Sequence, residues 1–405
     1  DGAVAVVALW GGVPHKADRG ADIGSFATLL CLFLGVMSLA LLADNLGLVW
    51  VALEATTITT AFLVGYRGGR HALEAAWKYV VLGSVGVAIA FLGIVLLYAA
   101  SRPAPTLSWA ALVAAPDLPD SARVGLALAA LGLATKAGLA PMHSWLPDAH
   151  SQAPAQVSGL MSGVLLSVAF VAILRVKAIS DAALGPGLMR TLLTIAGLLS
   201  LAVAGLLLLT QRNYKRLLAY SSIEHMGIMA LGAAIGGPLA TTAVLLHILG
   251  HGLTKAGLFV VAGRILVATG THEIGEVHSL LELRPSLARP WLAGTTALLG
   301  FPPFGLLITE VAIVVAGYQR GMGMVTSVAL GLLLVVFVGI SRHTLAMTLT
   351  RHDSALPDPV LAPDPASRGQ RLVVHLAFTV VALLPLLAWV LAEPLRAAAA
   401  ALGVS

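Results

Sequence analysis

Three lysines interrupt apolar stretches of this 405-residue chain, and each of them can carry and release a proton. They are Lys78, Lys136 and Lys255. A lysine can lose its proton when it is buried, whereas an arginine in practice cannot. An ionisable side chain inside a bilayer is costly unless it is paired or hydrated, so such residues are functional candidates. Finding lysine rather than arginine at these positions favours proton transfer over storage of fixed charge.

Acidic and imidazole groups accompany the lysines elsewhere in the chain. These further candidates are Glu54, His143, Glu224, His247, His251 and Glu310. His247, His251 and Lys255 follow one another at intervals of four residues, which places them on one face of a helix. The stripe covers about 12 Å along the helix axis. A polar stripe of this length favours a wire of titratable groups and water.

Simpler interpretations remain open for these groups. The lysines could extend their amines to a membrane interface, and Lys78 lies nearest the end of an apolar stretch. Glu54 could serve only as a structural partner. The pair His247 and His251 could bind a metal ion or haem through its four-residue spacing, or it could hydrogen-bond between helices.

The composition indicates a membrane protein. Hydrophobic residues make up 58% of the chain and charged residues 11%, whereas soluble proteins are about 25% charged. The net charge of +5 does not indicate nucleic-acid binding, because the basic residues are spread over short loops. The single cysteine, Cys31, excludes a disulfide, a cysteine-ligated iron–sulfur cluster and a cysteine-based zinc site within the chain.

Eleven apolar stretches are long enough to cross a bilayer, and each is expected to be helical because lipid cannot satisfy exposed backbone groups. The predicted fold is therefore all-α, a polytopic bundle. The predicted spans are approximately 24–43, 46–66, 72–100, 121–142, 155–176, 184–209, 216–236, 239–263, 290–317, 323–341 and 372–394. Residues 1–10 are expected to be the end of an earlier span. Because the chain begins at Asp1, we expect the sequence to be incomplete or processed at its N-terminus.

Loop charges predict the orientation of the bundle. Lysine and arginine are more numerous on the side that holds Lys16, Arg19 and Lys215 than on the side that holds Arg190 and Arg320. The first side, including the N-terminal segment, is therefore predicted to be cytoplasmic, and the C-terminus is predicted to lie on the opposite side. Abundant alanine, leucine and glycine with short loops suggest a bacterial plasma (inner) membrane.

Two of the predicted spans contain prolines that must break a helix. Pro141 follows Lys136 in the fourth span, and Pro302 and Pro303 precede Glu310 in the ninth. Proline removes a backbone donor and clashes with the preceding turn, and at membrane depth the freed groups must face protein or water. Interrupted helices in two halves of a transporter often mark inverted repeats and an ion path. Each break therefore predicts a functional position next to its charged residue.

These motifs resemble those of a known family: the antiporter-like membrane subunits of respiratory complex I and of membrane-bound hydrogenases, which are also similar to subunits of multisubunit cation/proton antiporters. The matching stretches are residues 50–57, 76–79, 136–151, 213–227, 247–256 and 301–310. They lie in order over about residues 45–310 and are highly specific. The segments Leu-Glu-Ala-Thr-Thr and Ser-Ile-Glu-His-Met-Gly are most similar to component F of hydrogenase-4.

The resemblance implies a fourteen-helix fold, of which this chain would lack the first three helices. It also implies two inverted five-helix repeats. The expected organisation is an N-terminal cytoplasmic stub over 1–23, a first half-channel repeat over 24–178, a second half-channel repeat over 179–350, and a loop with a C-terminal transmembrane helix over 351–405.

The resemblance also assigns roles to the candidate residues. Glu54 and Lys136 match the glutamate–lysine pair of a first half-channel, and Lys255 matches the central lysine. His247 and His251 match polar connectors, and Glu310 matches the terminal group of a second half-channel. Lys78, His143 and Glu224 complete the predicted proton-translocation set. Glu224 and the adjacent His225 point in different directions from a helix, so at most one of them need face a channel.

The chain departs from the family pattern at one position. Ser162 stands where several relatives carry a histidine or lysine, in the helix after the first broken one. The link from Lys136 to the centre is therefore expected to use water or the hydroxyls of Ser158 and Ser162.

The leading functional hypothesis is a proton-translocating subunit of a redox-driven complex of the membrane-bound [NiFe] hydrogenase type. The resemblance implies other membrane subunits of the same family and a peripheral redox arm as partners. Those partners would carry the iron–sulfur clusters and the NiFe centre, since this chain is expected to hold no cofactor. Two alternatives stay open: a subunit of a secondary Na⁺/H⁺ antiporter, and a non-conducting membrane scaffold.

Overall fold

The computed structural model describes residues 1–13, 23–102, 105–114, 118–350 and 362–403. Lys16 and Arg19, which contribute to the predicted orientation, lie outside the described residues, as does the start of the loop predicted from residue 351. Within the described residues the chain is helical, without named strands. The helices are α1 (Gly2–Gly11), α2 (Ile23–Leu42), α3 (Leu46–Val64), α4 (Arg70–Ala100), α5 (Trp109–Ala114), α6 (Ala122–Lys136), α7 (Trp145–Gln152), α8 (Ala155–Leu160), α9 (Leu166–Leu184), α10 (Gly187–Leu209), α11 (Tyr214–Ile235), α12 (Gly237–Thr269), α13 (Leu280–Leu283), α14 (Pro285–Leu298), α15 (Gly305–Gln319), α16 (Gly323–Leu349), α17 (Arg368–Val390) and α18 (Ala392–Ala401).

Nine helical stretches in the described part of the chain are long and apolar enough to cross a membrane, with α8 and α9 counted as one stretch over Ala155–Leu184. They coincide with nine of the eleven predicted spans. The other two predicted spans are the broken ones, formed by α6 with α7 and by α14 with α15. The prediction of an all-α polytopic bundle is confirmed. The inverted relation between its two halves and the domain boundaries stay predictions.

Side-chain caps fix where several of these helices begin. The Asn45 side chain accepts hydrogen bonds from the amides of Gly47 and Leu48 at the start of α3. Asn213 does the same for the first amides of α11. Ser367 and Gln370 form a reciprocal capping box at the start of α17. Such caps satisfy amides that have no partner within the helix.

Burial separates central helices from peripheral ones. The apolar stretches of α8–α9 and of α11 are each 94% buried, and that of α12 is 78% buried. The stretches of α2, α16 and α17 are only 22%, 28% and 28% buried, so these helices lie at the periphery of the chain. The central helices α11 and α12 are also those that carry the predicted histidines and the central lysine. Their polar groups are therefore enclosed by protein.

Glycines bring α4 and α6 into direct backbone contact. A Cβ atom placed on Gly93 would lie 2.3 Å from the backbone nitrogen of Ala129, and one on Gly132 would lie 2.3 Å from that of Ala90. Small residues at helix interfaces in membranes permit this close approach. The contact holds the C-terminal end of α6, and with it Lys136, against α4.

Both predicted helix breaks are confirmed. α6 ends at Lys136 and is followed by Gly138 with a positive φ of 71°. The indole of Trp145 at the start of α7 donates to the carbonyl of Thr135 at 2.8 Å, which gives a partner to one group freed by the break. The second break lies between α14 and α15, where Gly300 has a φ of 63°.

The N-terminal helix α1 is an integral part of the bundle. It packs against α8, α12 and α17. Arg264 of α12 donates to the carbonyls of Gly11 and Gln370, each at 2.7 Å, and the Gln370 amide donates to Gly12 at 2.7 Å. These contacts tie the end of α1 to the start of α17. The side of the membrane on which this end lies stays a prediction.

Candidate proton pathway

The first polar cluster surrounds the amine of Lys136, whose side chain is fully buried. Its Nζ donates to the hydroxyl of Thr57 at 2.5 Å and to that of Tyr79 at 3.0 Å. The Thr57 hydroxyl lies 3.3 Å from Glu54 Oε2, and Ser84 donates to Glu54 Oε1 at 3.1 Å. The structure therefore brings Glu54 and Lys136 together through the hydroxyl of Thr57.

Lys78 lies apart from this cluster. Its side chain is 49% exposed, and its Nζ contacts Glu74 at 2.8 Å and Asp148 at 3.3 Å. Asp148 also pairs with Arg216, and the four groups line a polar cavity of about 80 Å³. The expectation that Lys78 is buried is wrong, because α4 directs this side chain toward the surface, and its place in the predicted proton-translocation set stays a prediction. Its position fits the alternative of a lysine that reaches a polar interface.

His143 lies in the break between α6 and α7. The residue is partly buried, and its Nδ1 atom has no hydrogen-bond partner among the described residues. The structure joins it to none of the other predicted proton-carrying side chains by a described hydrogen bond.

Lys255 marks the centre of the bundle and is fully buried. Its Nζ donates to the Leu218 carbonyl at 3.0 Å and to the Ser221 hydroxyl at 2.5 Å, both on α11. Its partners are thus a carbonyl and a hydroxyl, so no fixed counter-charge holds this ammonium among the ion pairs of the described residues. The next residue, Ser222, contacts the first half of the chain.

That neighbour, Ser222, shares a 2.8 Å hydrogen bond with Ser162. Ser162 lies in a single π-helical turn over Met161–Leu165 between α8 and α9, and such turns occur frequently at functional sites. Ser162 thus forms a hydroxyl pair with α11, and the link from Lys136 through Ser162 stays a prediction. Ser158 differs, because its hydroxyl donates to the backbone carbonyl of His150 at 3.1 Å.

The sequence reasoning missed two buried groups beside this centre. His150 stacks on Phe259, one helical turn beyond Lys255, with ring centroids 4.8 Å apart, and neither of its nitrogens has a partner among the described residues. Lys215 was expected in a loop but is fully buried, and it donates to the carbonyl of Ala153 at 2.7 Å. The loop assignment is wrong because Lys215 follows the cap Asn213 into α11. His150 stood within the motif at 136–151 and was identifiable there.

The second half contains a hydrogen-bonded pair of imidazoles. His225 Nδ1 lies 3.0 Å from His247 Nε2, and His247 Nδ1 lies 2.8 Å from the Thr309 hydroxyl. Thr309 donates its own proton to the carbonyl of Leu306 at 2.7 Å. It must therefore accept from His247 Nδ1–H, which leaves His247 Nε2 as the acceptor of a proton from His225 Nδ1–H. The order of these bonds assigns one tautomer to each neutral ring.

Glu224 lies at the other end of this imidazole pair. Its Oε2 is 3.4 Å from His225 Nε2, the nitrogen that the assigned tautomer leaves without a proton. Both side chains are buried. Both are enclosed because α11 is surrounded by protein on nearly all sides, and which of them faces a channel stays a prediction.

His251 and Glu310 complete the cluster. His251 lies with its ring 5.0 Å from that of His225, and neither of its nitrogens has a partner within the described ranges. Glu310 is partly buried and places a carboxylate oxygen against Gly300 at the second break. Donor atoms of His225, His247 and Glu310 lie within 4.8 Å of one another, a set that could hold a metal ion. The hydrogen bonds along the imidazole pair fit proton exchange without an ion.

Comparison with known proteins yields a consistent set of relatives. The family model described as NADH:quinone oxidoreductase/Mrp antiporter, TM, matches residues 43–337. The Hydrogenase-4 component F homolog of Methylacidiphilum infernorum (isolate V4) is 39% identical over 306 residues, which are 73% of this chain and 64% of that protein. The chain thus spans less than two thirds of that relative.

Two solved structures show the same fold. A chain of the membrane-bound sulfane sulfur reductase, an archaeal respiratory membrane complex, aligns with a TM-score of 0.88 at 26% identity, over 99% of this chain and 81% of that one. A chain of respiratory complex I from Thermus thermophilus aligns with a TM-score of 0.78 at 27% identity, over 96% of this chain and 85% of that one.

Proposed function

Since the chain belongs to the NADH:quinone oxidoreductase/Mrp antiporter membrane family, we propose that it translocates protons as one antiporter-like subunit of a redox-driven membrane complex. The observation that carries this proposal is the series of enclosed titratable groups: the fully buried Lys136 and Lys255, and an imidazole pair with an acid at its end. Such groups are costly inside a membrane protein unless they are paired or hydrated, so their presence indicates a functional path. A scaffold would gain nothing from them.

The first step uses the cluster at Lys136. A carboxylate at Glu54 stabilises an ammonium on Lys136, and Thr57 transmits the interaction, since its hydroxyl accepts from Nζ and can donate to the carboxylate. When Glu54 becomes protonated or moves away, the ammonium loses this support. The proton then moves toward the centre. The Ser162–Ser222 pair and His150 lie there, between the two halves.

The second step starts at Lys255. A proton that arrives at Lys255 repels a positive charge on the neighbouring group. The proton then moves along one face of α12, where Lys255, His251 and His247 form a stripe. The imidazole pair passes it on by exchange, since each ring accepts at one nitrogen and releases at the other. Glu224 and Glu310 are acids within reach of the rings and are assigned to reloading and exit.

The driving energy must come from partner subunits. Moving one proton against 100 mV requires about 2.3 kcal/mol. In this family the redox cofactors sit on other subunits of the complexes. We assign the partners to neighbouring membrane subunits and a peripheral redox arm, with iron–sulfur clusters and, in a hydrogenase, a NiFe centre. The similarity to a hydrogenase-4 component F homolog supports the hydrogenase type.

Secondary Na⁺/H⁺ exchange is the second candidate, because the family model also covers Mrp antiporters. Sodium prefers several oxygen ligands, whereas Lys136, Lys255 and three of the buried rings offer nitrogen. The composition of the path therefore favours protons. Sodium uptake coupled to a proton gradient, without redox substrate, would support exchange instead.

We assign the chain to a bacterial plasma membrane, with the Lys215 end toward the cytoplasm. The assignment of loops to two ends has support from one cavity. Its lining includes Lys177, Arg190 and Arg320, which were all predicted at the less positive end. A cysteine introduced at Arg320 should react with an impermeant thiol reagent from the periplasmic side. Reaction of that cysteine only from the cytoplasmic side would reverse the orientation.

The test of transport is the variant Lys136→Met in the assembled complex, reconstituted in sealed vesicles. Proton uptake is followed with a pH-sensitive dye while the redox substrate turns over. We expect uptake to fall strongly with the complex intact, whereas Lys78→Met, a change of the same type at the surface, should change it little. Unchanged uptake in an intact Lys136→Met complex would leave the scaffold alternative as the better account.

A further inference from the structure

A polar cavity of about 240 Å³ lies at one end of the bundle, away from the proton pathway. The ends of α9, α11 and α15 meet there with the starts of α10 and α12. Its polar and charged lining consists of Lys177, Asp181, Arg190 and Arg320, together with the backbone of Gly236 and Gly237. None of the predicted proton-carrying residues lines this cavity, so the proposed function does not account for it.

The charges around the cavity favour an anion. Lys177 is paired with Asp181, which neutralises both. Arg190 and Arg320 form no ion pair within the part of the chain that the structure describes. The Nε atom of Arg190 is buried and has no hydrogen-bond partner among the described residues. A buried donor of this kind is costly unless a ligand or water accepts from it. Two arginines thus remain available to an incoming group.

The backbone adds donors to the same cavity. Pro186 and Gly236, the residues that precede α10 and α12, both line it, and neither helix start has a side-chain cap. The first amides of a helix lack partners within it and carry partial positive charge. A Cβ atom on Gly237 would lie 2.6 Å from Arg320 Nη1, so glycine is what permits the guanidinium to rest against the start of α12. Helix starts with adjacent arginines are a recurring way to bind phosphate.

We propose that this cavity binds an anionic phosphate group, supplied by a phospholipid headgroup or by free phosphate. The lipid source fits the surroundings, because the cavity opens at helix ends, where headgroups lie in a membrane. Exposed apolar side chains stand beside it: Leu239 next to Pro238 on α12 is 43% exposed, and Tyr318 near the end of α15 is 50% exposed. Acyl chains could follow these surfaces away from a headgroup held by Arg190 and Arg320.

The test uses the assembled complex, purified in a neutral detergent, and its thermal unfolding midpoint. The probes are short-chain dihexanoyl phosphatidylglycerol, the zwitterionic dihexanoyl phosphatidylcholine, and inorganic phosphate. Phosphatidylglycerol is expected to raise the midpoint in a saturable way, and phosphatidylcholine is not. A larger shift with phosphatidylglycerol than with phosphate identifies a lipid, and equal shifts identify free phosphate. No shift with either anion, or an equal shift with phosphatidylcholine, would overturn the proposal.

Variants place the effect in the cavity. Arg190→Gln and Arg320→Gln should each weaken binding by about tenfold, since each removes one charge-assisted contact. Arg190→Lys and Arg320→Lys should recover part of it. Arg123→Gln removes an exposed arginine on the same predicted side, outside the cavity, and should leave binding unchanged. If Arg190→Gln does not assemble, the exposed Arg320 carries the test. Equal losses in Arg123→Gln and Arg320→Gln would mean general attraction to the protein surface and would overturn the site.

Discussion

The two polar clusters of this protein use different chemistry around a buried lysine. The amine of Lys136 contacts the hydroxyls of Thr57 and Tyr79, with the acid Glu54 one hydroxyl away. Lys255 also donates to a hydroxyl, but the proposed path beyond it runs through the hydrogen-bonded imidazoles of His225 and His247. A hydroxyl reorients without net charge, whereas an imidazole can hold a proton.

This difference indicates that the two halves perform different steps of proton transfer. In the first half an acid controls the charge state of one lysine, which suits loading and gating. In the second half the imidazole pair offers a path whose direction follows from its tautomers. Each half of the chain thus has its own broken helix, and the two halves can still contribute different steps.

The largest effect is expected from changes at Lys255, which both halves require. Lys255→Met should reduce the proton uptake that this subunit contributes by roughly 10²-fold, a size typical for loss of a group that accepts and releases protons. Lys255→Arg keeps the positive charge but cannot release its proton, so it should fail equally. Both are measured as proton uptake during redox turnover in vesicles. Full activity in Lys255→Arg would mean that a fixed charge is enough at this position.

A similarly large effect is expected at the imidazole pair. In His225→Asn the side-chain amide can still donate to His247, but no second ring nitrogen is available to receive a proton. Proton uptake should fall by roughly 10²-fold while the thermal midpoint changes little. His343→Asn serves as the control, because His343 is a buried histidine that contacts the backbone carbonyl of Leu208 outside the path. Equal losses in both variants would indicate a structural role for His225.

A smaller effect is expected in the first cluster from Thr57→Val, which keeps the shape and removes the bridging hydroxyl. Proton uptake should fall by about tenfold, the equivalent of one hydrogen bond to a charged group. Thr57→Ser retains the hydroxyl and should restore most of the rate. If Thr57→Val transports normally, Glu54 acts on Lys136 without this bridge.

The smallest effect is expected at the surface network. Lys78→Met removes an ion pair in which both Lys78 and Glu74 are about half exposed, and water and salt screen such pairs so that they contribute little. Proton uptake should stay within about twofold of the wild type. A loss as large as that of Lys136→Met would return Lys78 to the path and place the proton entry at the Asp148 network.

The fold was largely predictable because lipid imposes simple rules. Apolar length predicted the spans, and the prolines at Pro141 and Pro302 predicted both breaks. Those signals are local in sequence, and backbone groups at membrane depth leave few other arrangements. The position of α1 within the bundle was only partly predictable, since its partners α12 and α17 are distant in sequence.

The site was predictable where a motif determined it and not where packing did. The Glu54–Lys136 pair followed from the family resemblance. The role of His225 was missed because a helical-wheel argument assumes one lipid-facing side, whereas α11 is almost entirely enclosed. Two lysines were assigned the wrong environment: Lys78, predicted inside a span, is half exposed, and Lys215, predicted in a loop, is fully buried. Depth within a protein is a property of tertiary packing that hydropathy does not record.

The central claim is that one path runs through both lysines in series, and a double-variant cycle tests it most directly. Proton uptake per electron is measured in vesicles for Lys136→Met, Lys255→Met and the combination, with assembly verified for each. Steps in series predict that each single variant removes the whole contribution of this subunit and that the double variant removes no more. Two partial losses that add in the double variant would mean two independent paths and would contradict the account.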